Sequence, residues 1–295
     1  MRLGFHISIA GGFSKVIEKA QRTGCKTIQL FSRNPRGWKY NPLNPDEVEQ
    51  FKIKRASTDI SPCFLHLPYL PNLAAAKSEL YTKSINSLCE DLRRAEILGI
   101  PFLIVHVGNR VTLSEEEAIG KVVRGINESL QRVSNQVVIL LENTAGQGTE
   151  IGFNFLQLKK ILSGVEKKKR IGICLDTAHA FQAGYDLSTR KGLDETLSEF
   201  DRLIGLKNLH LLHLNDSKSP LASHSDRHWH IGKGYMGLKG FRNIVNHPLL
   251  NHLPGIMETP RKDLKDDLKN MKVMRSLIKD QGLGIIIQGG RDEIS

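Results

Sequence analysis

No stretch of this 295-residue chain approaches the run of about 18 apolar residues that a membrane-crossing helix needs. The opening residues, MRLGFHISIAGG, also lack the apolar segment of a secretory signal, so a cytoplasmic protein without a membrane partner is expected. Cysteine is scarce. The four present, Cys25, Cys63, Cys89 and Cys174, form no Cys-x-x-Cys pair. A disulfide framework and a cysteine-type zinc site are therefore not expected, and a reducing compartment fits. Cys25, Cys63 and Cys174 lie inside apolar runs, where a small thiol packs as core. Acidic residues are also in deficit, 31 against 42 Lys and Arg, for a net charge of +11. Such a balance fits a polyanionic partner, most simply nucleic acid, or a generally solvated basic surface. There is no internal repeat, no linker and no Ser-His-Asp signature of covalent catalysis.

What the chain does contain is a repeated strand–helix rhythm. Apolar, β-branched runs occur at about 2–8, 25–31, up to His66, and at 101–107, 137–143, 170–176, 209–215 and 254–259. Helical segments are expected between them. One carries Val16, Ile17 and Ala20 on a single face, and one starts at Pro45 after an Asn44 cap. Another covers 77–98 and stops at Gly99, and the next opens with a Ser114-x-x-Glu117 capping box. The remainder are placed at 153–163, 191–204 and 263–280, with 215–239 read as one long loop. Continuous apolar strands alternating with helices mean a parallel sheet buried on both faces. Eight such units predict an α/β fold, a single (β/α)8 TIM barrel over residues 1–280, with its site at the C-terminal strand ends. Residues 281–295 form a tail without an assigned role.

The strands end in a consistent way. His66, His106, Glu142, Asp176, His213 and Glu258 each close an apolar run, and His179, Asp226 and His228 lie just beyond strand ends. In a parallel barrel those ends converge on one face. A costly polar group at the same position of strand after strand is not coincidence. Nine imidazole and carboxylate donors exceed the roughly four that one zinc takes, so a multinuclear site for Zn²⁺, Mn²⁺ or Fe²⁺ is expected. His6, His210, His224, His247 and His252 are assigned no role, and His228 is preferred to its neighbour His230. The run Glu166–Arg170 precedes the sixth strand and is expected to be solvated at the barrel bottom.

Longer motifs carry a resemblance. GFHISIAGG (4–12), ENTAGQG (142–148), LDTAHAFQAGYD (175–186), HLNDSKS (213–219), DRH…IGKG (226–234) and MET (257–259) together resemble endonuclease IV. This is the zinc-dependent apurinic/apyrimidinic endonuclease family, and the resemblance spans nearly the whole chain. It implies a TIM barrel with three zinc ions, with Mn²⁺ or Fe²⁺ possible at some positions. It also implies hydrolysis of duplex DNA on the 5′ side of an abasic site by a monomer, leaving 3′-hydroxyl and 5′-deoxyribose phosphate ends. On this resemblance His66 and His106 hold the first metal, and Glu142 bridges it to a second that Asp176, His213 and Glu258 complete. His179, Asp226 and His228 hold the third, and Glu142 and Glu258 are the catalytic carboxylates. Lys233 departs from the pattern, standing in IGKG where many members carry Glu.

Arg33, Arg36, Trp38 and Lys39 follow the second strand, and Tyr69 and Leu70 follow His66. By itself the Arg/Trp loop reads either as a DNA contact or as a solvated surface. The resemblance implies that Arg36, Tyr69 and Leu70 enter the duplex where the abasic nucleotide is extruded. Two alternatives remain. A sugar isomerase or epimerase on the same barrel would use one metal held by Glu142, Asp176, His213 and Glu258. A non-catalytic DNA-binding protein would explain the charge but not the ligands.

Overall fold

Eight parallel strands close into a barrel because most of them are apolar on both faces and each is followed by a helix that covers the outside. The computed structural model describes residues 1–279; Asp280 and the tail 281–295 lie outside the described residues. The barrel strands are β1 (Arg2–His6), β2 (Thr27–Phe31), β3 (Cys63–His66), β4 (Phe102–His106), β5 (Val138–Glu142), β6 (Ile171–Asp176), β7 (Leu209–His213) and, last in the chain, β10 (Pro254–Met257). Closure runs β1-β10-β7-β6-β5-β4-β3-β2, with β10 pairing parallel to both β1 and β7. A small antiparallel ribbon, β8 (Asp216–Ser217) with β9 (His228–Trp229), stands outside the barrel.

The helices are α1 (Val16–Arg22), α2 (Pro45–Ala56), α3 (Ser78–Leu98), α4 (Glu115–Arg132), α5 (Phe155–Gly164), α6 (Thr177–Gln182), α7 (Arg190–Leu203), α8 (Gly237–Val245) and α9 (Leu264–Leu277). Among the described residues no helix is long and apolar enough to cross a membrane. Local chemistry sets the helix ends. Asn44 Oδ1 accepts from the backbone N–H groups of Asp46 and Glu47, with Pro45 at the first helical position. Ser114 and Glu117 form the expected reciprocal box. Gly99 ends α3 at φ 65°, a left-handed conformation that a residue with a Cβ adopts only at a cost.

The barrel interior explains where the polar residues go. Phe64, Ile104, Leu140, Cys174, Leu211 and Ile256 form a buried plug inside the barrel. Each such side chain stabilises by roughly 1.5–3 kcal/mol on leaving water. Side chains along a strand alternate faces, so the residue two positions further on points inward again. Those positions are His66, His106, Glu142, Asp176, His213 and Glu258. The pattern that packs the plug thus delivers one imidazole or carboxylate from each of six strands to the layer above it.

Three expectations need correction. The segment 215–239 is not one loop: it contains the β8–β9 ribbon and runs into α8. GLKGFRNIV carries two glycines and has weak intrinsic helicity, and burial of Phe241, Ile244 and Val245 overrides it. No helix is expected between the strand ending at 176 and the helix at 191–204, yet the short α6 lies there, its six residues too few for a periodic signal. The run before β6 does lie at the barrel bottom, but Arg170 is buried, and its guanidinium donates to Asn135 and to the Val137 carbonyl.

Candidate metal centre

Residues just past the strand ends aim the candidate ligands. Asp176 closes β6 and caps α6, so its Oδ1 accepts from the His179 backbone N–H at 2.9 Å. Its Oδ2 is left facing the cluster, steadied by Asn215 Nδ2 at 2.7 Å. Asn215 Oδ1 in turn accepts from the Glu258 backbone N–H at 2.7 Å, tying β7 to β10. Asn143 Oδ1 accepts from the Asp176 backbone at 2.7 Å, tying β5 to β6. Sequence reasoning singled out neither asparagine. Their only signal is a position one or two residues after a strand-end ligand, in ENT and HLN.

The histidines are tautomer-locked by the same logic. His66 Nδ1–H donates to the Leu67 carbonyl at 2.6 Å, and His179 Nδ1–H to the Asn143 carbonyl at 2.9 Å. Each therefore presents Nε2 to the centre. A ligating imidazole is commonly oriented in this way by its second nitrogen.

The nine predicted side chains come together in three groups. In the first, His66 Nε2 and His106 Nε2 each stand 3.1 Å from Glu142 Oε2. In the middle group, His213 Nδ1 lies 2.8 Å from the other Glu142 oxygen, Oε1, and 3.4 Å from Glu258 Oε2. In the third, His179 Nε2 lies 3.2 Å from both Asp226 Oδ1 and His228 Nε2. Asp176 Oδ2 sits between the middle and third groups, 3.8 Å from His213 Nδ1 and 3.5 Å from His228 Nε2. Glu142 and Asp176 thus each face two groups. Asp226 and His228 both reach His179 even though only His228 lies in a strand. His230 contacts Asn270 instead, at 3.2 Å.

This donor set fits divalent cations of borderline character. It consists of nitrogen and oxygen only. Two donors about 2.1 Å from one tetrahedral ion stand about 3.4 Å apart, and the separations above bracket that value. The nearby Cys174 thiol is pushed up to about 12 by burial and stays protonated. Glu142, Asp176 and His213 are fully buried, whereas the His106 and Asp226 side chains are 38% and 43% exposed. The centre is therefore deep at the shared carboxylates and open at its rim, over a cavity of about 640 Å³.

Without metal, the same groups stabilise one another as ions. Burial disfavours charge on His213, but the adjacent Cys174 sulfur and the Glu258 and Glu142 carboxylates outweigh it, and its pKa stands well above the usual value. Burial likewise opposes charge on His179, and Asp176 and Asp226 overcome it. Glu142 is buried, yet His106 and His213 hold it well below the usual carboxylate range; Glu258 and Asp226 are held low as well. For histidines raised in the fold, the contribution to stability is full below the ordinary value of 6.5 and is lost as pH rises through the folded values. For the lowered carboxylates, the contribution is present above their ordinary values of 3.8 and 4.5 and is lost as pH falls through the folded values. The Tm of metal-free protein is therefore expected to fall as pH rises above the ordinary histidine value of 6.5. With divalent metal it is expected to rise over the same range, because metal binding releases ligand protons. Paired thermal melts test this; parallel curves would show that protons and metal do not share these groups.

Two corrections concern the rim. Arg33, grouped with the DNA-contacting residues in the sequence, is buried. Its guanidinium reaches Ser87 Oγ at 2.6 Å and Asp91 Oδ2 at 3.4 Å, and it stacks on Tyr40. It anchors the loop rather than contacting a partner, and leaves Arg36 and Lys39 on the accessible side. His6, assigned no role, sits on the cluster with Nδ1 3.4 Å from Glu258 Oε1. Burial, the largest influence on it, lowers its pKa. At the mouth, Tyr69 is 69% and Leu70 37% exposed. The Tyr69 ring meets Phe31 edge-on at 5.3 Å.

A family model described as the xylose isomerase-like TIM barrel matches residues 17–279. A protein of Halothermothrix orenii named "Probable endonuclease 4" is 43% identical over 280 residues, 95% of this chain and 100% of that protein. The crystal structure of endonuclease IV from Thermus thermophilus aligns with a TM-score of 0.84 at 36% identity, covering 94% of this chain and 98% of that one. A D-tagatose 3-epimerase-like protein aligns at 0.72 with 16% identity over 94% of this chain and 97% of its own, a likeness of fold alone.

Proposed function

The chain belongs to the endonuclease IV family of xylose isomerase-like TIM barrels, and on that premise we propose that it is a metal-dependent DNA repair endonuclease that hydrolyses duplex DNA 5′ to abasic sites. The products would be 3′-hydroxyl and 5′-deoxyribose phosphate ends. The carrying observation is the sharing of Glu142 and Asp176 among three adjacent donor groups at the floor of an open cavity.

Three metal ions, zinc first with Mn²⁺ or Fe²⁺ possible at some positions, fit the three groups: His66, His106 and Glu142; Glu142, Asp176, His213 and Glu258; His179, Asp226 and His228. When bound, such ions supply water activation and electrostatic clamping of an anionic phosphodiester. The chain's own part is geometric. Glu142 and Asp176 fix the spacing of the groups. The capping bond of Asp176 and the carbonyl bonds of His66 and His179 hold the donors in place before substrate arrives. With the Cys174 thiol protonated and buried, the cluster offers no side-chain nucleophile, so the attacking group is water. At the mouth, Tyr69 and Leu70 would supply a ring and an apolar wedge, and the exposed Arg36, whose charge reaches the Tyr69 hydroxyl, would supply a cation. A nucleotide lacking its base costs little stacking to extrude, and the cavity behind these residues is large enough to take it.

The test is incision of a duplex carrying one abasic analogue beside an undamaged control, with elemental analysis of the same preparation. Site-specific incision and about three metals per chain are expected. One metal and no incision would favour a single-metal isomerase or epimerase built on Glu142, Asp176, His213 and Glu258. That alternative leaves five of the nine donors without work.

Binding should also weaken steeply with salt, since the +11 chain would displace phosphate counterions. A log–log plot of affinity against salt is expected to have a slope of about −0.9 for each phosphate contact, and a flat plot would argue against backbone gripping.

A further inference from the structure

Six barrel strands deliver a candidate ligand to the layer above the plug; β1 and β2 do not. At their inward positions stand His6 and Gln29, which are paired in register. Gln29 is fully buried, and both polar atoms of its amide are engaged.

The chemistry of the partners fixes its orientation. The group 2.6 Å from Glu258 Oε1 must be the amide NH₂, because a carboxylate only accepts. The second N–H then donates to His6 Nδ1 at 2.9 Å. The amide oxygen is left for His213 Nε2, 2.7 Å away, which must carry a hydrogen in order to donate. The lone pair of a neutral His213 is consequently on Nδ1, which faces Glu142 Oε1, Glu258 Oε2 and Asp176 Oδ2 at 2.8, 3.4 and 3.8 Å. His66, His179 and His228 present Nε2 to the centre; His213 presents the opposite nitrogen, and Gln29 is what sets it.

We propose that Gln29 is a positioning residue of the middle metal site: one side chain selects the His213 tautomer that can ligate and clamps Glu258 beside it. The inference rests on the metal reading of the nine donors. It concerns metal retention, so it can be tested apart from DNA cleavage. Partners that orient a ligand from behind are commonly worth about 10–100-fold in metal affinity.

The experiment titrates metal-free protein with zinc at buffered free concentrations and records metal bound per chain, together with melts of the metal-free forms. Gln29→Met keeps the length and removes all three hydrogen bonds; Gln29→Asn keeps the amide but falls one methylene short. For both, one equivalent is expected to bind with a midpoint at roughly 10–100-fold higher free zinc, while the remaining equivalents keep wild-type midpoints. In the cobalt-loaded variants, the visible absorption of that one equivalent should change as well. Unchanged midpoints in either folded variant would overturn the proposal. So would equal weakening of every equivalent alongside a lowered metal-free Tm, since that marks a general packing role. Wild-type protein that binds no zinc would instead overturn the metal reading itself.

Discussion

Glu142→Ala is expected to lower the single-turnover rate of abasic-site incision by roughly 10³-fold or more, about 4 kcal/mol of barrier, and to cost more than His106→Ala. The reason lies in what each side chain touches. Glu142 is fully buried and uses both oxygens, Oε2 toward His66 and His106 and Oε1 toward His213. Its loss removes a donor from two groups at once and leaves imidazoles facing one another without the carboxylate that offsets them. His106 belongs to one group, on the exposed rim, and its loss leaves the middle and third groups intact. A deficit nearer the 10²-fold seen when one electrostatic contact is deleted is expected for it. Glu142→Gln, which preserves volume, separates charge from packing: it should fold, retain less metal and remain impaired. Rates in the opposite order, with His106→Ala the more damaging, would remove the bridging role from Glu142.

The double variant Tyr69→Ala, Leu70→Ala is expected to bind abasic duplex more weakly by about 1–3 kcal/mol for each stacking interaction removed, roughly 5- to 150-fold apiece. Both side chains project at the cavity mouth, largely free of the core, and neither belongs to the nine donors. Metal content should therefore be unchanged. Undamaged duplex, where no wedge engages, should be affected far less. Affinities measured on the two duplexes decide the matter. Equal losses would mean that these residues grip backbone. Loss of metal would mean that they support His66, three residues before Tyr69 in the chain, and the wedge would have to be abandoned.

Salt dependence, the pH response of the metal-free fold and the zinc titration of Gln29 variants probe different parts of the molecule: its surface charge, the ion pairs of the metal-free cluster, and the hydrogen bonds behind it. None of them requires the cleavage reaction to be observed.

Much of this was legible in the linear chain, for a physical reason. A parallel barrel strand must be apolar on both faces, so a run such as PFLIVH or IGICLD announces itself and its polar last residue stands out. Alternation of side chains then guarantees that a residue two beyond an inward apolar one also points inward. That suffices to collect His66, His106, Glu142, Asp176, His213 and Glu258 on one face. Tertiary structure alone decided which of them share a neighbour. Glu142 meets His213 across 71 residues, and Gln29 meets Glu258 across 229. Those contacts follow from the stagger of neighbouring strands and from the closure of β10 on β1, which no local pattern encodes. The same closure turns His6 from an unassigned histidine into a neighbour of Glu258. The buried Asp91 turns Arg33 from an expected surface cation into the anchor of its loop. Composition and period fix which faces are buried; the partner of a buried polar group is settled only when the barrel shuts and every donor must find an acceptor away from water.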